Sequence, residues 1–186
     1  MKSLRAIDYT LKLIAGWIIC LLIRLIPGRP ANIEPILSVQ MPLSQTGGKV
    51  AGFVFGAGSI LAFDVMTHSM GVWTLITAPV YGLVGLLSAI YLKNRPATSL
   101  TYVKCALVAT ILYDALTGLT IGPLFFNQPL AEAFLGQIPF TARHLLGNLL
   151  LALVLSPLVS RFIARNDLLE ISHYLSIKNH LHYEHN

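Results

Sequence analysis

The chain has 186 residues, of which 55% are hydrophobic and only 11% are charged, and its mean hydropathy is +0.69. A soluble domain of this length carries about a quarter charged residues, so the composition excludes that class and indicates an integral membrane protein. The net charge of +5 comes from scattered basic residues, so we do not expect nucleic-acid binding. Cys20 and Cys105 lie singly in apolar segments and predict neither a disulfide nor a metal site.

Six hydrophobic segments predict an all-α membrane bundle of six helices. A spanning helix needs roughly 20 apolar residues, so the second segment is too short, and we interpret it as a bent or partial helix shielded by protein. The first apolar run ends at Arg24 and Pro27 without a small-residue cleavage site, so it is read as an uncleaved span and not as a signal peptide. The segments cover residues 9–26, 33–45, 48–68, 71–93, 99–121 and 140–165.

Basic residues predict the orientation of the bundle. With the N-terminus inside, the outer face keeps only Arg24, Arg29 and Arg143. The positive-inside rule then favours both termini in the cytoplasm of a bacterial-type cytoplasmic membrane. The inner face collects Lys2, Arg5, Lys12, Lys49, Lys93, Arg95, Lys104, Arg161, Arg165 and Lys178.

Two domains are expected, a transmembrane domain over residues 1–165 and a cytoplasmic amphipathic tail over residues 166–186. In the tail, apolar residues from Leu168 to Ile177 recur at near-helical spacing among polar ones, which is typical of a helix at a membrane surface. Its four histidines lack the spacing of a metal site, so a solvated tail is preferred. These are His173, His180, His182 and His185.

Two apolar stretches carry the same short aspartate-centred motif, called here the aspartate phrase. Residues 63–67 read Phe-Asp-Val-Met-Thr, and residues 113–117 read Tyr-Asp-Ala-Leu-Thr. Each is followed by a glycine-containing turn and another apolar run, which predicts a parallel duplication of helices 3–4 and 5–6. Chance similarity between apolar helices is the alternative. A carboxylate inside a membrane helix costs free energy unless it is paired or hydrated, so Asp64 and Asp114 mark a candidate functional site.

Membrane-embedded polar residues are predicted to gather in the outer half of the bundle. Arg143 is expected at the level of Asp114 and Asp64, where it could pair with either of them. Such a pair could serve only to fix helix register, or it could line an outward-facing pocket for a small solute. We predict no catalytic residues, metal or cofactor here. The predicted lining residues are Glu34, Gln40, Asp64, Trp73, Thr77, Asp114, Asn127, Arg143, His144 and Asn148.

Small-residue faces occur on the third and fourth segments. Gly52, Gly56 and Gly58 form one face, and Gly82 and Gly85 form the other. Such faces let membrane helices approach closely. Packing within the chain is the preferred interpretation, and docking of a partner membrane protein is the alternative.

Enzyme motifs are absent from the sequence. Residues 45–49 lack the glycine spacing of a nucleotide P-loop, and neither a zinc-protease nor a serine-hydrolase motif occurs. The Tyr113-Asp114 pair lacks the second Gly-x-Gly-Asp motif that intramembrane aspartyl proteases require. We therefore do not expect an enzyme, and a membrane scaffold with a structural ion pair is the stronger rival.

Three stretches, residues 49–56, 71–87 and 138–141, together with the small six-span pattern, resemble the substrate-binding S components of energy-coupling factor (ECF) vitamin transporters. This resemblance implies an outward-facing vitamin pocket capped by outer loops. It also implies coupling to a separate transmembrane subunit and two ATPase subunits. In that family, small residues of the first spans dock the coupling subunit, and the nearest candidates here are Ala15, Gly16 and Cys20.

Overall fold

The computed structural model describes residues 2–28, 30 and 32–170, which form helices and connections without a strand. The prediction of an all-helical protein is therefore confirmed for the described residues. The helices are α1 (Lys2–Arg24), α2 (Ile36–Met66), α3 (Val72–Leu92), α4 (Ser99–Gly118), α5 (Ile121–Phe125) and α6 (Leu130–Val159), followed by a π-helical turn (Ser160–Ala164) and a 3-10 turn (Asp167–Leu169).

Four stretches of the described chain are helical, long and apolar enough to cross a membrane. They are Ile36–Met66, Val72–Leu92, Ser99–Phe125 and Leu130–Ala164. Large apolar side chains such as Leu75, Val108 and Leu146 are exposed on these helices. An apolar exterior on several long helices indicates a multi-pass membrane protein. α1 is not one of the four, and the second and third predicted segments are joined in the single helix α2, so the predicted count of six membrane helices is not supported in the described chain.

A bend at Gly48 divides α2 into a short arm, residues 36–47, and a long arm, residues 49–66. Gly48 has φ of 80° and ψ of −168°, a conformation that glycine adopts readily because it has no Cβ. Every residue from 36 to 44 is buried. The short arm is thus surrounded by the rest of the protein, which is the shielded placement that the sequence predicts for this short segment.

Contacts between distant residues define two ends of the bundle. The Tyr9 hydroxyl donates to the Leu43 carbonyl, and Gln45 Nε2 donates to the Leu92 carbonyl at 3.1 Å. The buried Lys12 ammonium lies 2.6 Å from Glu170. The start of α1, the Gly48 bend, the end of α3 and the chain after α6 therefore share one end, called here the bend end. The opposite end carries Asp64 and Asp114 and is called the aspartate end.

Glycines bring the backbones of α2 and α3 into close contact. A Cβ on Gly52 would lie under 3.0 Å from the Gly85 carbonyl, and a Cβ on Gly85 would lie as close to the Gly52 carbonyl. A Cβ on Gly56 would meet the Tyr81 carbonyl in the same way. The small-residue faces of the third and fourth segments thus pack against each other within the chain, as the preferred interpretation predicts.

Three expectations need correction or lie outside the described chain. The sixth segment is expected to begin at residue 140, but α6 begins at Leu130 and passes through Pro139, because helix formers precede Pro139 and membrane helices tolerate proline. Gly16 and Cys20, proposed for partner docking, are buried, and Gly16 faces side chains of α2. The predicted tail helix falls mostly on residues 171–186, outside the described residues.

Candidate functional site

Two buried polar pairs join α4 to α6 near the aspartate end. His144 Nδ1 lies 2.7 Å from Asp114 Oδ1, and the two side chains are only 4% and 1% exposed. Asn148 Nδ2 donates to Thr110 Oγ1 at 2.9 Å. Residues four apart share a helix face, so the two pairs lie one helical turn apart between the same two helices. We call these two pairs the two rungs. They place buried polar atoms between α4 and α6.

The second aspartate closes the turn between α2 and α3. Thr74 Oγ1 donates to Asp64 Oδ2 at 2.5 Å, and Ser69 Oγ donates to Asp64 Oδ1 at 3.5 Å. The Gly71 amide donates to Thr74 Oγ1 at 3.2 Å. Each aspartate thus bonds a polar side chain on the next long helix of the chain, in line with the repeated phrase in the sequence.

A third carboxylate comes from the loop between α1 and α2. Glu34 Oε2 lies 3.2 Å from Arg24 Nε at the end of α1. The Arg24 guanidinium also lies over the Phe63 ring, 3.5 Å from its centroid, next to Asp64 in the chain. The same loop reaches α6, because the Asn32 carbonyl lies against Gly147, where a Cβ would not fit.

Aromatic rings occupy the space between these charged groups. The Tyr81 and Tyr113 rings lie 4.2 Å apart between centroids. His144 meets Tyr113 and Phe140 edge-on, at 6.0 Å and 5.7 Å. Glu34 pairs with Arg24, which lies over Phe63 next to Asp64, and the loop that carries Glu34 also contacts α6 at Gly147 near His144, so the three carboxylates Glu34, Asp64 and Asp114 belong to one region. We call this region the polar cluster, and it comprises Arg24, Glu34, Asp64, Tyr81, Tyr113, Asp114, His144 and Asn148.

Several buried polar atoms of this region have no hydrogen-bond partner among the described residues. A buried donor or acceptor left unsatisfied costs about 1–3 kcal/mol, and native proteins leave few of them. Several such atoms on neighbouring side chains therefore indicate a place for a bound solute or ordered water. The atoms are Arg24 Nη1, Gln40 Oε1, Asp114 Oδ2, His144 Nε2 and Asn148 Oδ1.

Of the ten residues predicted to line the pocket, five belong to the polar cluster and a sixth, Gln40, lies next to it. Gln40 is buried below the cluster, where its Nε2 donates to the Gly52 and Tyr81 carbonyls at 2.9 Å each. The six are Glu34, Gln40, Asp64, Asp114, His144 and Asn148.

The other four predicted residues lie outside the cluster. Trp73 is 42% exposed and its ring covers Gly71. Arg143 and Asn127 are exposed, and Thr77 is half-buried. The expected pairing of Arg143 with an aspartate does not form. One residue step turns a helix by about 100°, so Arg143 points outward where His144 points inward, and His144 takes the place beside Asp114.

Five further residues in or beside the polar cluster were not among the predicted lining residues. Arg24 and Glu34 are opposite charges flanking one proline-rich loop, which could have signalled their pairing. The spacing of four from Thr110 to Asp114 matches the spacing from His144 to Asn148, which could have signalled the two rungs. The five missed residues are Arg24, Thr74, Tyr81, Thr110 and Tyr113.

No metal site accompanies the cluster in the part of the chain that the structure describes, where no three His, Cys, Asp or Glu side chains are grouped to hold an ion. The histidines of the predicted tail lie outside that part.

Comparisons with known proteins return no family model, no curated protein and no solved structure that matches this chain.

Proposed function

We propose that this protein is the substrate-binding S component of an ECF-type transporter and takes up a small polar, vitamin-like solute. The observation that carries this proposal is the set of unpartnered, buried polar atoms on Asp114, His144 and Asn148. Polar groups inside a membrane bundle are costly and mark solute or ion paths. A purely structural cluster would satisfy them within the protein.

In this proposal the aspartate end faces outside and the bend end faces the cytoplasm. The bend end carries Lys12, Lys49, Lys93 and Arg95, an excess of basic residues that the positive-inside rule places in the cytoplasm. α1 and the short arm of α2 count as the first two of six segments in a bacterial-type cytoplasmic membrane. The two aspartate phrases then belong to parallel repeats that face one shared site.

We predict that cysteines placed at the two ends are labelled from opposite sides of the membrane. Lys93 lies at the bend end and Gln128 at the aspartate end, and both are exposed. A membrane-impermeant maleimide applied to intact cells should label Gln128→Cys, and should label Lys93→Cys only after the cells are permeabilised. Cys20 and Cys105 are buried and would be replaced by alanine as background. Labelling of both positions from the same side would contradict the orientation.

In this proposal, partner proteins hydrolyse the ATP that drives uptake. The sequence carries no nucleotide-binding motif, so a transmembrane coupling subunit and two ATPase subunits would drive uptake, and this chain itself would have no enzymatic activity. The side chains of Asp114 and His144 are almost fully buried. A solute therefore reaches them only when the α1–α2 loop or the helix ends beside it move.

A co-purified solute tests this proposal directly. We expect mass spectrometry of protein extracted in mild detergent to detect a small molecule that is lost from the Asp114→Leu/His144→Leu double variant. That variant removes the carboxylate together with its partner, so it leaves no unpaired charge in the interior. Cells that produce the protein with an energising module should accumulate the same compound.

A membrane scaffold is the second candidate, and the direct 2.7 Å pair of Asp114 with His144 favours it. In a scaffold, that pair would only fix the register of α4 and α6. Absence of any bound compound from wild-type protein, together with unchanged assembly of the double variant with its partners and no uptake, would overturn the transport proposal.

A further inference from the structure

The unpartnered atoms around His144 are hydrogen-bond acceptors. When neutral His144 gives its Nδ1 hydrogen to Asp114, its Nε2 carries a lone pair and no hydrogen. Asp114 Oδ2 and Asn148 Oδ1 are oxygens without a donor among the described residues. The two pairs lie about one helical turn apart along α4 and α6, so the three acceptors belong to neighbouring side chains of the same two helices. A solute that meets them must bring donors.

The charge of the polar cluster is negative. Three carboxylates, Glu34, Asp64 and Asp114, stand against the Arg24 guanidinium, and Glu34 already lies 3.2 Å from that guanidinium. Asp64 is held by the hydroxyls of Thr74 and Ser69, which are uncharged. Negative charge therefore remains in excess whether or not His144 carries a proton. In low-dielectric surroundings such an excess strongly favours a cation.

Flat aromatic surfaces lie beside the acceptors. The Tyr113 and Phe140 rings meet the His144 ring edge-on, and Tyr81 lies against Tyr113. Aromatic faces attract a cation within about 6 Å and contact the face of another ring. These rings therefore favour a flat, positively charged group over a charged alkyl group.

Resting on the function proposed above, we infer that the solute is a small cationic aromatic compound whose N–H groups donate to Asp114, His144 and Asn148. Each contact of an N–H donor with Asp114 is a charge-assisted hydrogen bond, which is stronger than a neutral one. Arg24 and Glu34 pair with each other beside this group and do not contact the cation.

Benzamidinium and benzoate test this inference, because they share a ring and a size but differ in charge and in hydrogen-bond character. We expect millimolar benzamidinium, and not benzoate, to raise the melting temperature of the purified protein. Asp114→Asn keeps the size of the side chain and an acceptor for His144 but removes the charge, so the apparent Kd for benzamidinium should rise at least tenfold. Asp167→Asn, at an exposed carboxylate near the chain end, is the matched control and should leave that Kd unchanged.

Two outcomes would overturn the inference. Stabilisation by benzoate alone, lost in Arg24→Gln, would show an anion site, and the transport proposal would survive with a different substrate class. An unchanged melting temperature with both probes would reject the cationic ring as the ligand class. The co-purified compound tests the transport function independently, so the two failures can be told apart.

Discussion

Replacing His144 with leucine should lower the stability of the purified protein by about 3–5 kcal/mol, because Asp114 would then be a buried carboxylate without its partner. The 2.7 Å contact between these side chains lies in an interior where Asp114 is 1% exposed. For a chain of this size, each kcal/mol shifts the melting temperature by roughly 2–4 °C. A thermal melt of the detergent-solubilised variant should therefore show a midpoint roughly ten degrees lower.

Arg143 provides a matched control on the same helix. Its side chain is exposed, so Arg143→Leu should change stability by no more than about 0.5 kcal/mol, as surface substitutions usually do. The Asp114→Leu/His144→Leu double variant should recover most of the loss, because it buries no charge. A His144→Leu protein that melts like the wild type would show that the pair contributes nothing to folding.

The double variant also separates the two proposed functions. If it is stable but has lost its bound compound and its uptake, the polar pair serves binding. If it is stable and uptake continues, the pair serves only to set the register of the helices. The first result is expected, because Asp114 Oδ2 and His144 Nε2 remain without partners even when the pair is formed.

Replacing Gly85 with alanine should destabilise the protein by about 3 kcal/mol or somewhat more, because overpacking at a backbone contact forces the helices apart. The added Cβ would lie under 3.0 Å from the Gly52 carbonyl and from Gln40 Nε2. Gln40 bonds two carbonyls, one on the long arm of α2 and one on α3, and those bonds would be disturbed as well. The melting temperature in detergent measures the effect.

Gly136 is the control for this substitution. It lies in α6 and has open space at the position of a Cβ. Gly136→Ala should leave stability unchanged or raise it by up to about 1 kcal/mol, because alanine is the better helix former. If both alanine variants melted together, the close approach of α2 and α3 would not contribute to the stability of the fold.

The positions of most helices follow from local sequence. Apolar runs of spanning length are a local property, and the bilayer requires their backbones to be helical. α3 (Val72–Leu92) and α4 (Ser99–Gly118) therefore lie within a few residues of the predicted segments. The cost of a carboxylate in such a run is likewise local, so Asp64 and Asp114 could be recognised as unusual from the sequence alone.

The start of α6 and the bend of α2 required the tertiary structure. Pro139 predicts a helix boundary in an isolated segment, yet α6 runs from Leu130 through it, as membrane helices tolerate proline. Gly48 bends α2 so that Gln40 of the short arm donates to the Gly52 carbonyl of the long arm at 2.9 Å. Neither outcome is encoded in the hydropathy of one segment.

By itself the sequence determined that this is a helical membrane protein with acidic groups inside its bundle. Only the tertiary structure decided their partners, namely His144 for Asp114, Thr74 for Asp64 and Arg24 for Glu34. Arg143 and His144 are adjacent in sequence, but helical rotation points one outward and the other inward. A pairing depends on the phase and tilt of two helices at once, and those are set by contacts between residues far apart in the chain.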